Sequence, residues 1–143
     1  MSLTDPYDPD NVFAKILRNE MPAFVIAESE RTVAIMDAFP QSRGHCLVIP
    51  KAASRNLLEM ARKDLSAVTD QTQRVARAVQ RALQPDGIVI TQFNGAAAGQ
   101  TVFHTHVHII PRYSGQALAD HASEPGDTQA LDRLALHIRS HLE

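Results

Sequence analysis

Three histidines occupy alternate positions in one short run, His104-Thr105-His106-Val107-His108, and Ile109-Ile110-Pro111-Arg112 follow. The residues between and just after them are β-branched. Such side chains restrict χ1 and favour extended backbone, so the run predicts a strand over 102–110. On a strand alternate side chains share a face, which sets three imidazoles side by side. Imidazole is the side chain that serves as nucleophile, acid, base or ligand near neutral pH. Spacing alone leaves three readings open. The bland one, three structural histidines, requires burying three imidazoles with too few partners, which is costly. Two histidines two apart on a strand with a third elsewhere also fit zinc, with His45 as a further ligand. The third reading is phosphorus chemistry, in which a neutral imidazole attacks and its neighbours donate hydrogen bonds to oxygen. No acidic partner stands nearby in sequence to orient metal-bound imidazoles, which weighs against metal.

A chain of 143 residues with 44% hydrophobic residues is most simply one domain with a real core. A net charge of -2 argues against a non-specific nucleic-acid binder, which needs a basic surface. It leaves room for a pocket that takes one nucleotide. Cys46 is the single cysteine, so no internal disulfide forms and a reducing compartment fits. The first residues lack the basic and apolar regions of a signal peptide. No apolar run approaches the roughly 20 residues that span a bilayer. A cytoplasmic protein that engages no membrane is expected.

Residues 1–9, with Pro6 and Pro9, are expected to form a flexible arm ahead of one domain over 10–143. Asp10 or Asn11 can cap a helix over 12–19 that ends before Pro22. Strands are expected over 23–28, 32–36, 45–50 and 88–93. A helical turn is expected over 56–60. The three-four spacing of Leu65, Val68, Thr72, Val75, Ala76, Val79 and Leu83 marks a helix over 64–83, stopped by Pro85-Asp86-Gly87. Residues 115–126 read as irregular, and Thr128 as the cap of a last helix with Leu131, Leu134, Ile138 and Leu142 inward. Strands in runs with helices between or after them indicate α+β with an antiparallel sheet.

The flanks decide among the three readings. Gly99-Gln100-Thr101-Val102-Phe103 leads into the histidines, and Pro111-Arg112-Tyr113 leaves them. Upstream stand Gly44-His45-Cys46-Leu47-Val48-Ile49-Pro50-Lys51, Val12-Phe13-Ala14-Lys15-Ile16 and Glu20-Met21-Pro22. Together these resemble the histidine triad (HIT) family, most of all its Hint-like and bacterial branches, from about Val12 to Tyr113. The resemblance implies a HIT-like α+β fold with a five-stranded antiparallel sheet, often paired into a homodimer. It implies cleavage at the α-phosphorus of nucleoside phosphoramidates, adenylates or dinucleoside polyphosphates through a nucleotidyl-histidine intermediate, with no cofactor and no catalytic metal.

By position in that family, His106 is the nucleophile, His108 the donor to phosphate oxygen or the departing atom, and His104 the residue that orients His106. His45 completes the polar wall. Gln100 and Thr101 resemble the phosphate-contacting loop. Asp37 stands eight residues before His45, where relatives hold the ribose hydroxyls, and a carboxylate suits that task. Val12, Phe13, Ile16 and Ile35 resemble the slot for the base. Cys46 reads as a buried small residue. The positions where some relatives bind structural zinc read Asn11, Ala14 and Ala53, so only His104 of that set is present and no zinc is expected. Relatives often carry an amide eleven residues before the first triad histidine. Here Phe93 stands there, and either neighbour, Gln92 or Asn94, can fill the role, with Asn94 taken as a phosphate contact. Val107 occupies the position where a nucleotidyl transferase acting on a sugar phosphate carries proline. The expected activity is a nucleotide hydrolase of the phosphoramidase type, acting on a small purine nucleotide. The alternatives are a dinucleoside polyphosphate hydrolase and a nucleotide-binding regulatory protein with residual turnover.

Overall fold

The computed structural model describes residues 3–121 and 124–143. Helix α1 (Val12–Leu17) precedes strands β1 (Val25–Glu28), β2 (Thr32–Met36) and β3 (Cys46–Pro50). The long helix α2 (Arg62–Leu83) is followed by β4 (Gly87–Thr91), β5 (Val107–Arg112) and helix α3 (Thr128–Arg139). The strands form one antiparallel sheet in the order β1-β2-β3-β5-β4. This is the α+β architecture that the hydrophobic patterning indicated. Among the described residues no helix is long and apolar enough to cross a membrane.

Period-two alternation divides the side chains of β3 between two faces. Cys46 and Val48 join Ile26, Met36 and Ile109 under α2 and α3, against Val68, Val75, Val79, Leu131 and Ile138. Leu47 and Ile49 point the other way and pack with Val33, Ile35 and Phe13 of α1. His108 pairs with Leu47 across the β3–β5 ladder. The histidines therefore open onto the α1 face, where one short helix leaves most of the sheet uncovered by regular structure.

Several boundaries differ from the sequence reading for identifiable reasons. The regular part of the histidine strand starts at Val107, not Val102. Continuing the ladder toward His104 would need an amide from Pro50, which has none. The His104 ring instead meets the Pro50 carbonyl, and Thr105 bonds Ser54 through both backbone and hydroxyl. The strand runs on through Pro111, which pairs with Ile88 of β4 beyond the last β3 pairing. Similarly β3 begins at Cys46, and His45 sits in the turn before it. α2 starts at Arg62, and Asp64 bonds Arg31 from its first turn. α3 is capped by the Asp127 carboxylate and not by Thr128. Asn11 caps α1. Ahead of α1 the Leu3 carbonyl accepts from Asn56, and Tyr7 is bonded to His104.

Candidate active site

His45, His104 and His108 are each at most 2% exposed, and His106 is 6% exposed. What the four rings can do follows from their partners, because a carbonyl only accepts and a backbone amide only donates. The Gln41 amide donates to His45 Nδ1 at 3.0 Å. His45 therefore carries its proton on Nε2, and that N–H donates to His108 Nδ1 at 2.9 Å. His108 is left with its proton on Nε2, which is buried and has no hydrogen-bond partner among the described residues. His106 Nδ1–H donates to the backbone carbonyl of His104 at 2.7 Å. Its Nε2 keeps an unshared pair. His104 Nε2–H donates to the Pro50 carbonyl at 2.8 Å, and its Nδ1 accepts from the Tyr7 hydroxyl at 2.6 Å. Asn11 in turn donates to the Tyr7 oxygen at 3.0 Å. Every tautomer is fixed by a group outside the ring.

Burial penalises imidazolium, and it dominates the electrostatics here. It pushes His45 and His106 down to about 4 and His108 to about 3, with neighbouring histidines adding to the effect on each. Burial lowers His104 as well, against the opposing bond to Pro50. The rings are neutral at pH 7. Burial raises Asp37, while its bond from the Phe39 amide opposes the shift. The Cys46 thiol is fully buried and pushed up, which leaves it a packing residue.

His106 and His108, with ring centroids 5.0 Å apart, line a cavity of about 430 Å³. Val12, Phe13, Ile16 and Ile35 form its apolar wall, and Asp37 and Thr101 also reach it. The Phe13 ring stands edge-on to His106 at 4.8 Å. His45 and His104 lie behind this surface and reach the cavity through their partners. Asp37 accepts from the Phe39 amide with one oxygen and holds the other 3.3 Å from His45 Nε2. Asp37, His45 and His108 have potential ligand atoms within 4.8 Å of one another; the His45 Nε2–H between them is directed to His108 Nδ1, with the Asp37 oxygen 3.3 Å away.

Two expected phosphate contacts lie elsewhere. Gln100 is 3% exposed, and its amide accepts from Gly95 and donates to the Arg55 and Val102 carbonyls. Asn94 pairs amide to amide with Gln92 and accepts from Leu57. Both brace the loop that carries Thr101, and neither lines the cavity. Phe93, expected at the end of a strand, leaves β4 and packs 5.4 Å from His108.

His121 and Tyr7 were not singled out from the sequence. His121 lines the cavity 5.4 Å from His108. It sits in a stretch with no periodicity, and only the fold brings that stretch to the site. Tyr7 lies in the segment expected to be loose.

A family model described as the HIT domain matches residues 18–115. The chain belongs to the HIT family. Among HIT proteins of known structure it is similar to a Hit-like protein involved in cell-cycle regulation from Bartonella henselae, with 45% identity and a TM-score of 0.92, covering 96% of this chain and 100% of that one. It is also similar to a hypothetical histidine triad nucleotide-binding protein from Sulfolobus tokodaii, with 32% identity and a TM-score of 0.81 over 90% and 89% of the two chains. A further HIT relative is the adenylylsulfatase HINT3 of Arabidopsis thaliana, 36% identical over 131 residues. That match covers 92% of this chain and 66% of the relative's length.

Proposed function

We propose that this HIT protein is a nucleotidyl hydrolase that cleaves purine nucleoside phosphoramidates or adenylates at the α-phosphorus, through a covalent intermediate on His106. The observation that carries this reading is the bond from His106 Nδ1 to the His104 carbonyl. It leaves a bare Nε2 on a neutral ring that lines the cavity, which is what nucleophilic attack requires. The new Nε2–P bond forms as the bond from phosphorus to the leaving group breaks. An amine leaving group takes the proton of His108 Nε2, while the His45 N–H steadies the Nδ1 side of the same ring. The charge this leaves on the His45–His108 pair is offset by the positive charge that His106 gains. Water then forms the new O–P bond, the N–P bond breaks, and the proton of the water returns to His108.

In this reading Thr101 donates its hydroxyl to a phosphate oxygen. Gln100 and Asn94 serve by holding the loop. Asp37 has lone pairs left for the ribose hydroxyls, and Val12, Phe13, Ile16 and Ile35 cover the base. The adenylylsulfatase among the relatives supports an adenylate as substrate. Rapid acid quench during turnover of adenosine phosphoramidate tests the mechanism. The expected result is a nucleotidyl adduct mapped to His106, and an adduct on His104 or His108 would overturn it. Relative kcat/KM for that substrate, its guanosine counterpart, an adenylyl sulfate and diadenosine polyphosphates ranks the leaving groups, since the ratio reports transition-state discrimination.

A further inference from the structure

Among the described residues that line the 430 Å³ cavity there is no lysine and no arginine. A nucleotide brings at least one negative phosphate to this surface. His106 and His108 are held neutral by burial, and their bonded tautomers give one a lone pair and the other a single N–H. Thr101 and Thr128 offer only hydroxyls. His121 remains. It is half-buried, it lines the same cavity, and no hydrogen bond to a described residue fixes its tautomer. Neither ring nitrogen is committed to a described residue, so both are left to meet an anion in the cavity.

The fold delivers His121 to this place. The Ala119 amide donates to the Gln41 carbonyl at 2.9 Å, and the Gln41 side chain donates back to the Ala119 carbonyl at 3.1 Å. On the other side, the Gly126 amide donates to the Ala38 carbonyl at 2.8 Å. The stretch bearing His121 is thus tied at both sides to the loop between Asp37 and His45. The ring then stands edge-on to His108, centroids 5.4 Å apart, with Phe93 at 6.1 Å. His108 Nε2–H is the donor to the departing group in the proposed reaction, so a group leaving beside His108 lies next to His121.

We infer that His121 is a fifth histidine of the site, one that contacts the leaving group and selects substrates whose leaving group is an oxyanion. Sulfate or a phosphate chain departs with its negative charge and needs a cation, while an amine departs after taking a proton and needs only the His108 donor. The inference rests on the hydrolase reading and extends it to the leaving-group side of the cavity.

The test compares full-length wild type with His121→Asn and His121→Lys on two adenylates that differ only in the leaving group, one a sulfate and the other an uncharged amine. His121→Asn is expected to lower kcat/KM for the sulfate compound about 10- to 100-fold, the range for a hydrogen bond to a charged group. The amine compound should change less than about 3-fold, and His121→Lys should recover most of the loss on sulfate. Equal losses on both substrates, or no loss on sulfate, would overturn the inference and leave the hydrolase reading standing. Wild type inactive on both compounds would remove the reading beneath it, and the inference with it.

Discussion

The Tyr7 hydroxyl lies 2.6 Å from His104 Nδ1, across 97 residues of sequence. The opposite nitrogen of that ring donates to Pro50, and the His104 backbone carbonyl accepts from His106. The phenol therefore steadies the residue that aims the proposed nucleophile. Tyr7 acts through His104, as a positioning residue.

Tyr7→Phe removes the donor and leaves a buried acceptor unsatisfied. The expected loss of stability is about 1–3 kcal/mol, read by urea unfolding. If the phenol also positions His106, kcat falls while KM stays near the wild-type value. A variant with unchanged kcat would reduce Tyr7 to a stabilising contact.

His106→Asn is expected to lower kcat by several orders of magnitude while nucleotide binding survives, because the lost bond forms only on the reaction path. His108→Asn should cost roughly 10²–10³, within the range for losing the group that gives a proton to the leaving atom. Steady-state kinetics alongside equilibrium binding of the product nucleotide separates the two effects. Near wild-type turnover in His106→Asn would falsify the assignment of the nucleophile.

Asp37→Ala is expected to weaken turnover of a ribonucleotide more than that of its 2′-deoxy analogue. The carboxylate faces the cavity with one oxygen on the Phe39 amide and the other 3.3 Å from His45. An equal loss on the two substrates would assign Asp37 to support of His45 alone.

Acid should destabilise this protein through its histidines. In the unfolded chain these imidazoles take up a proton near pH 6.5. In the folded chain burial delays uptake to about 4 for His45 and His106 and about 3 for His108. Between those values the unfolded state binds more protons, so stability is full above about pH 6.5 and is lost as pH falls through the folded values. A Tm profile from pH 7.5 to 4 should slope downward toward acid. The acid limb of kcat/KM should sit near pH 4, and a limb near 6.5 would contradict the neutral buried triad.

A homodimer is proposed from the free edge of the sheet. β4 pairs with β5 on one side only, and Val89 and Ile90 are 38% and 49% exposed. Ile90 also lines an apolar groove that runs along α2 past Leu65, Ala76 and Ile88. A second copy adding its own β4 would cover that edge. Light scattering at micromolar concentration should give twice 15.7 kDa, and Ile90→Lys should return the monomer mass. Wild type at the monomer mass would count against the pairing.

How much of this was legible in the sequence depends on the range of the interactions. The alternate spacing of the histidines, the unbroken apolar run of β3 and the three-four spacing in α2 reflect local backbone preferences, and they placed the histidine strand, a buried strand and the long helix. His104, His106 and His108 were marked by spacing, and His45 by its Gly-His-apolar context. The sequence could not say which nitrogen of each ring is protonated. That depends on Gln41, Pro50 and the His104 carbonyl, groups that reach the rings only after the chain has turned. Nor could it separate Thr101, which faces the cavity, from Gln100 and Asn94, whose amides are consumed in bracing the loop. Tyr7 and His121 carry no local signature at all. Each enters the site through a backbone path fixed by hydrogen bonds far along the chain, from Asn56 to Leu3 and between Gln41 and Ala119. Sequence periodicity determined which faces are buried, and tertiary packing decided which polar atoms remain unpaired inside the cavity to do chemistry.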